Sequence, residues 1–118
     1  MKILIVEDEL LIQKSLKKLL ERKGAEVKAT AQGKEAIEMI LNEDFDRVVC
    51  DLMLQDITGF DVIEECRKKY NPQQLSQTFM IMTAYGSPQV LEKAQAYGCR
   101  VFGKPFDDMD ATIQAFME

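Results

Sequence analysis

The sequence predicts one α/β domain in which five short strands alternate with five helices in a doubly wound parallel sheet. Three observations point there. The 118 residues, 47% of them hydrophobic, suffice for one core and are too few for two. The apolar pattern switches repeatedly between short continuous runs, which suit buried strands, and stripes at helical spacing. No linker, low-complexity segment or repeat beyond that alternation interrupts the chain. Parallel strands need crossovers, and a right-handed helical crossover after each strand covers both faces of the sheet.

The elements follow in order. "KILIV" (2–6) is a buried strand, and the next segment carries Leu11, Ile12, Ser15, Leu16, Leu19 and Leu20 as a helical stripe that stops at Gly24. "AEVKAT" (25–30) is more polar and suits a sheet edge. "GKEAIEMILNED" places Ala36, Ile37, Ile40 and Leu41 at helical spacing, and "RVVCD" (47–51) returns to strand. A helix from about Gly59 to Tyr70, a loop around Asn71-Pro72 and the strand "TFMIMT" (78–83) come next. Ser87-Pro88 opens the fourth helix, with serine as cap and proline in the first turn. "RVFGK" (100–104) is the last strand, and the last helix turns Phe106, Met109, Ile113 and Phe116 inward.

Composition narrows the chemistry. Fifteen basic and twenty acidic residues give a net charge of -5, which argues against a receptor for polyanions such as nucleic acid. Cys50, Cys66 and Cys99 are widely spaced with no CxxC pair, and they read as reduced thiols. No leader precedes "MKILIVEDE" and no apolar run approaches spanning length, so the expectation is a soluble, cytoplasmic protein without a membrane partner. Histidine is absent, which rules out a histidine triad, a His-ligated metal or a phosphohistidine within this chain.

In open α/β sheets the ligand crevice lies beyond the carboxyl ends of the strands. The strands end at Glu7-Asp8, Thr30, Asp51, Thr83 and Lys104. With the common strand order 2-1-3-4-5, the first and third strands are neighbours about 4.8 Å apart, which gathers three carboxylates at one edge. A hard divalent cation resolves their repulsion, and Mg²⁺ favours carboxylates, a carbonyl, waters and an oxyanion substrate. The ammonium of Lys104 and the hydroxyl of Thr83 suit phosphoryl oxygens.

"ILIVEDE", "DLMLQDITGFDVI", "IMTAYG" and "KPF", in this order and spacing, resemble the receiver domain of two-component response regulators, of the free-standing chemotaxis and phosphorelay kind. The likeness covers residues 1–118 as a single receiver domain and implies the flavodoxin-like order. It implies Asp51 as the phosphoacceptor, fed by a histidine kinase or histidine phosphotransfer protein. Asp8, Asp51 and the Met53 backbone carbonyl would ligate Mg²⁺, with Glu7 reaching it through water. Thr83 and Lys104 would hold the acyl phosphate, Lys104 would precede a cis Pro105, and Gly59 would close the loop after the third strand. The likeness makes Thr83, Val101 and Phe102 the switch candidates and implies that Met53 and Tyr85 would flank the path of the hydrolytic water. Two positions depart from the family pattern: Gln55 stands where proline is usual, and Val101 where an aromatic is usual. The resemblance further implies self-catalysed phosphorylation and dephosphorylation without a separate enzymatic output, a protein target, and a monomer or weak dimer.

Each residue taken singly has a plainer reading. Glu7-Asp8 is an ordinary acidic helix start, Asp51 a turn opener, and Thr83 and Lys104 surface residues. Asp107, Asp108 and Asp110 read as caps of the last helix, and "KSLKK" as a solvated face. Two rival functions stand beside the switch. One is an unphosphorylated adaptor; the other is a Mg²⁺ enzyme on nucleic acid using Glu7 with "DFD" (44–46), in which Asp46 would have to end a strand although it precedes one.

Overall fold

The computed structural model describes residues 1–118. Its elements are β1 (Lys2–Val6), α1 (Leu10–Arg22), β2 (Glu26–Thr30), α2 (Gly33–Asn42), β3 (Arg47–Asp51), α3 (Gly59–Cys66), α4 (Pro72–Thr78), β4 (Phe79–Thr83), α5 (Pro88–Tyr97), β5 (Arg100–Gly103) and α6 (Met109–Met117). The five strands are parallel in the order β2-β1-β3-β4-β5. The more polar β2 lies at an edge, as its composition predicts. No helix is long and apolar enough to cross a membrane.

Strand alternation sorts the core onto two faces. Leu4, Val6, Val48, Cys50 and Ile81 meet α2, α3, α4 and α5 through Ala36, Ile40, Val62, Ile63, Leu75 and Ala94. Ile3, Ile5, Val49, Met80 and Met82 meet α1 and α6 through Leu16, Leu20, Ile113 and Phe116. The central strands are therefore buried on both sides, which is why they read as continuous apolar runs.

Three sequence expectations need correction. The loop at Asn71-Pro72 is the start of a sixth helix, α4, and the preceding helix ends at Cys66. Asn71 accepts from the Gln74 amide while Gln74 accepts from the Asn71 amide, and Pro72 occupies the first turn. The last helix begins at Met109 rather than beside Phe106, because Asp108 accepts from the Ala111 amide and caps it. Leu11 and Leu41 are exposed rather than core. At 100° per residue, Leu11 sits about 140° from the buried Leu16, so a stripe that includes both is too wide for one helix face.

Other local signals hold. Gly24 has φ +93° just after α1, a conformation that favours glycine. Ser87 accepts from the Val90 amide at 3.2 Å and Pro88 opens α5. Cys50, Cys66 and Cys99 are free and buried. Burial pushes the Cys66 thiol up to about 12 and Cys99 to about 11, which keeps them unreactive.

Gly59 opens α3 against the end of β3. A Cβ there would lie 2.9 Å from the Asp51 carbonyl oxygen and 3.2 Å from Leu52 Cα, so backbone rather than a flexible side chain would have to move. Gly59→Ala is expected to cost about 1–3 kcal/mol, read as a lower urea midpoint. A midpoint equal to wild type would show that the loop relaxes freely.

Candidate functional site

Strand register builds the site. Val6 pairs with Cys50, so Glu7 and Asp51 follow at neighbouring strand ends. Thr83 pairs with Gly103, which brings Lys104 just past the edge of the sheet. The Lys104 amide donates to the Thr83 carbonyl at 2.8 Å, and the Lys104–Pro105 bond is cis. A cleft of about 390 Å³ opens here, lined by Asp8, Glu9, Asp51, Met53, Gln55, Ala84, Tyr85 and Lys104.

Three predicted residues gather as anticipated: one carboxylate oxygen each from Glu7, Asp8 and Asp51 lie within 4.8 Å of one another. Glu7 is fully buried and Asp51 is 5% exposed. Lys104 Nζ donates to Glu7 Oε1 at 2.7 Å and to Asp51 Oδ2 at 3.2 Å. The Glu9 amide donates to the other Glu7 oxygen at 3.2 Å.

The electrostatics follow from this crowding. Burial raises the Glu7 pKa; the Lys104 hydrogen bond opposes that rise, and the Asp51 charge adds to it. Desolvation also raises Asp8, helped by its neighbour Glu7. Burial works against the Lys104 ammonium, yet Glu7 and Asp51 together hold its pKa above the ordinary lysine range. Three acids and one lysine leave two negative charges in the cluster when all are ionised. An all-oxygen donor set with that residual charge fits a Mg²⁺ site.

Thr83 is 2% exposed, and its hydroxyl accepts from the Tyr85 amide at 3.0 Å and donates to the Tyr85 carbonyl at 3.2 Å. The structure does not bring the three switch candidates together. Val101 packs on the α5 side of the sheet, whereas Phe102 points to the α6 side and meets Phe116 edge to face at 5.0 Å. Met53 and Tyr85 line the cleft with 60% and 76% of their surface exposed. "DFD" lies at the far end of the sheet, where Asp46 accepts from the Lys2 amide and Asp44 pairs with Lys69. Glu7 and that segment therefore flank opposite strand ends.

Sequence reading missed Asp56, which accepts from the Gly33 and Lys34 amides at 2.9 Å each. Its signal was indirect. α2 starts after Gln32, which makes no side-chain cap, so its first amides needed an acceptor from elsewhere.

Residues 3–115 match the family described as the response regulator receiver domain. Response regulator SaeR of Staphylococcus aureus (strain USA300) is 35% identical over 82 residues, which make up 70% of this chain and 34% of that protein. The match thus spans about a third of the length of the curated relative. The non-phosphorylated HemR receiver domain from Leptospira biflexa is 30% identical with a TM-score of 0.84, over 97% of this chain and 90% of that one. Vibrio cholerae chemotaxis protein CheY4 is 26% identical with a TM-score of 0.81, over 98% and 97%.

Asp8→Asn tests the crowding in the metal-free protein. A carboxyl whose folded pKa lies above its ordinary 3.8 adds stability below that value and loses it as pH rises through the raised pKa. At pH 7 in EDTA the variant should therefore melt higher than wild type, and its advantage should shrink as pH falls through the raised pKa and be gone below about pH 4. It should also lose the rise in melting temperature that Mg²⁺ gives wild type. Thermal unfolding across pH, with and without the ion, checks both; an intact Mg²⁺ effect would remove Asp8 from the site.

Proposed function

The chain belongs to the response regulator receiver family, and from that premise we propose that it is a phosphorylation-controlled switch whose phosphoacceptor is Asp51. The observation that carries the reading is Lys104 Nζ bridging Asp51 and buried Glu7 inside the cleft. It presents one lysine-paired carboxylate oxygen beside two further acids. The chain holds no histidine, so a phosphohistidine donor comes from a partner. A histidine kinase is the general partner of this family, and a histidine phosphotransfer protein offers the same chemistry. Such exchange belongs in the cytoplasm.

In this mechanism an Asp51 carboxylate oxygen attacks phosphorus in line with the donor imidazole. The O–P bond forms as the P–N bond breaks, and the electron pair leaves with the imidazole. Asp8, Asp51 and the Met53 carbonyl, with Glu7 through water, would hold Mg²⁺, which would supply charge neutralisation at the phosphoryl oxygens. Lys104 carries its Asp51 hydrogen bond over to a phosphoryl oxygen. Thr83 gives up the Tyr85 carbonyl for another phosphoryl oxygen, and the segment after β4 follows. Val101 shares the Thr83 side of the sheet and receives that movement, which alters the surface of α5, β5 and α6 for a protein target.

Acetyl phosphate with Mg²⁺ should add one phosphoryl group by intact-mass spectrometry, and Asp51→Asn should abolish it. Modification without the ion, or undiminished in the variant, contradicts the assignment. Beryllofluoride with Mg²⁺ should alter hydrogen exchange across residues 84–105; an unchanged profile there favours the passive adaptor.

The lifetime of the signal depends on water reaching phosphorus opposite the Asp51 oxygen. Met53 and Tyr85 line the cleft, and neither is a good base for orienting water, so self-dephosphorylation should be slow. Met53→Asn combined with Tyr85→Ala should accelerate loss of the phosphoryl group roughly tenfold, about 1.4 kcal/mol of barrier. Equal or slower decay in the double variant would show that these side chains do not shield the bond.

A further inference from the structure

The loop after β3 is held from a side that the phosphoryl chemistry does not use. Asp56 offers one oxygen to the Gly33 amide and the other to the Lys34 amide, so a carboxylate from this loop caps α2 across 23 residues of sequence. Asp56 is exposed; desolvation opposes ionisation, but the Lys34 and Gly33 amides hold its carboxyl below the usual range, and the clamp is charged at neutral pH. Apolar contact closes the same junction. A Cβ on Gly33 would lie 2.5 Å from Ile57 Cγ1 and 3.2 Å from Leu54 Cδ1, so its absence lets the loop seat directly on the helix. Leu54 and Ile57 pack on the core beneath.

The other end of the loop is equally fixed. The Gly59 amide donates to the Leu52 carbonyl at 2.8 Å, Met53 bridges Thr58 in antiparallel fashion, and Thr58 and Asp61 form a capping box on α3. Met53 therefore rides on a segment tethered to two helices, with the exposed Gln55 between the tethers. Proline would restrain that position by its fixed φ; glutamine does not.

We infer that Asp56 is a positioning residue for the Mg²⁺ site: its two hydrogen bonds to the start of α2 fix the loop and with it the Met53 carbonyl. The inference rests on the metal reading proposed above. Asp56 itself touches neither the cation nor the phosphoryl group; it removes the freedom that would otherwise be lost when the carbonyl is bound.

The test separates this role from plain helix capping. Mg²⁺ chloride is titrated calorimetrically into wild type, Asp56→Ala and Asp56→Ala with Gln32→Asp, with urea unfolding in EDTA alongside. Asp56→Ala should weaken Mg²⁺ binding about tenfold and lower metal-free stability. Gln32→Asp supplies a cap from the helix's own N-cap position, so it should restore stability while leaving Mg²⁺ binding weak. Binding by Asp56→Ala within about twofold of wild type, well under the usual second-shell cost, overturns the inference. So does recovery of both properties in the double variant. Should the single variant fail to fold, the capped double variant gives the same readout. Wild type that binds no Mg²⁺ at all overturns the metal reading itself, a result distinct from any difference between variants.

Discussion

The carboxyl edge of this sheet depends on one ammonium lying between two buried carboxylates. Glu7 and Asp51 end adjacent strands with almost no solvent to screen them, and two such charges repel by on the order of 3 kcal/mol at an effective dielectric of 20. Lys104 offsets that repulsion by bonding to both. It reaches them from the strand at the opposite side of β4, so strand order and charge balance are one problem. A different register at β5 would withdraw the ammonium and leave the carboxylates unpaired. The compensation is also incomplete, since Asp8 adds a third acid with no lysine of its own. The residual two negative charges are what a divalent cation matches.

The fold was legible because its central strands are buried on both faces and so carry unbroken apolar runs. Periodicity alone misjudged the margins. At Leu11 and Leu41 adjacent apolar pairs mimic a continuous face, although neighbours on a helix stand 100° apart and only one of each pair faces the sheet. At Asn71-Pro72 the same residues serve a turn and the start of α4. Asparagine, proline and then glutamine three residues after the cap is a helix start as well as a loop signal. A segment of only seven residues is too short to show an apolar stripe that would decide between them.

The site was legible to the extent that it sits at strand ends, because register carries those residues to one edge regardless of loop detail. Glu7, Asp8, Asp51, Thr83 and Lys104 all follow from that rule. What escaped was contact between elements distant in sequence. Asp56 meets Gly33 through a pairing that no local pattern encodes. The Thr83 hydroxyl looked free to meet a ligand, yet it is already satisfied by its own loop. The side of Phe102 was available from strand alternation: if Val101 faces one helical layer, its neighbour must face the other.

These constraints together define how a phosphoryl group at Asp51 would be felt. Phosphorylation replaces a single carboxylate charge with close to two, in a cluster whose only lysine is already shared. The extra charge needs a further donor, and the Thr83 hydroxyl ends the adjacent strand. Its present bond to the Tyr85 carbonyl is long for an O–H donor at 3.2 Å, so exchanging it for a charged acceptor gains more than it loses. The Tyr85 carbonyl is then left to solvent, and the exposed segment 84–86 is free to rearrange around that loss. The loop after β3 has no such freedom, because it is pinned to α2 by Asp56 and to α3 by Gly59 and Thr58. One rim of the cleft is therefore pinned and the other is not, and on the reading proposed above a phosphoryl group at Asp51 would be felt away from α2 and toward α5, β5 and α6.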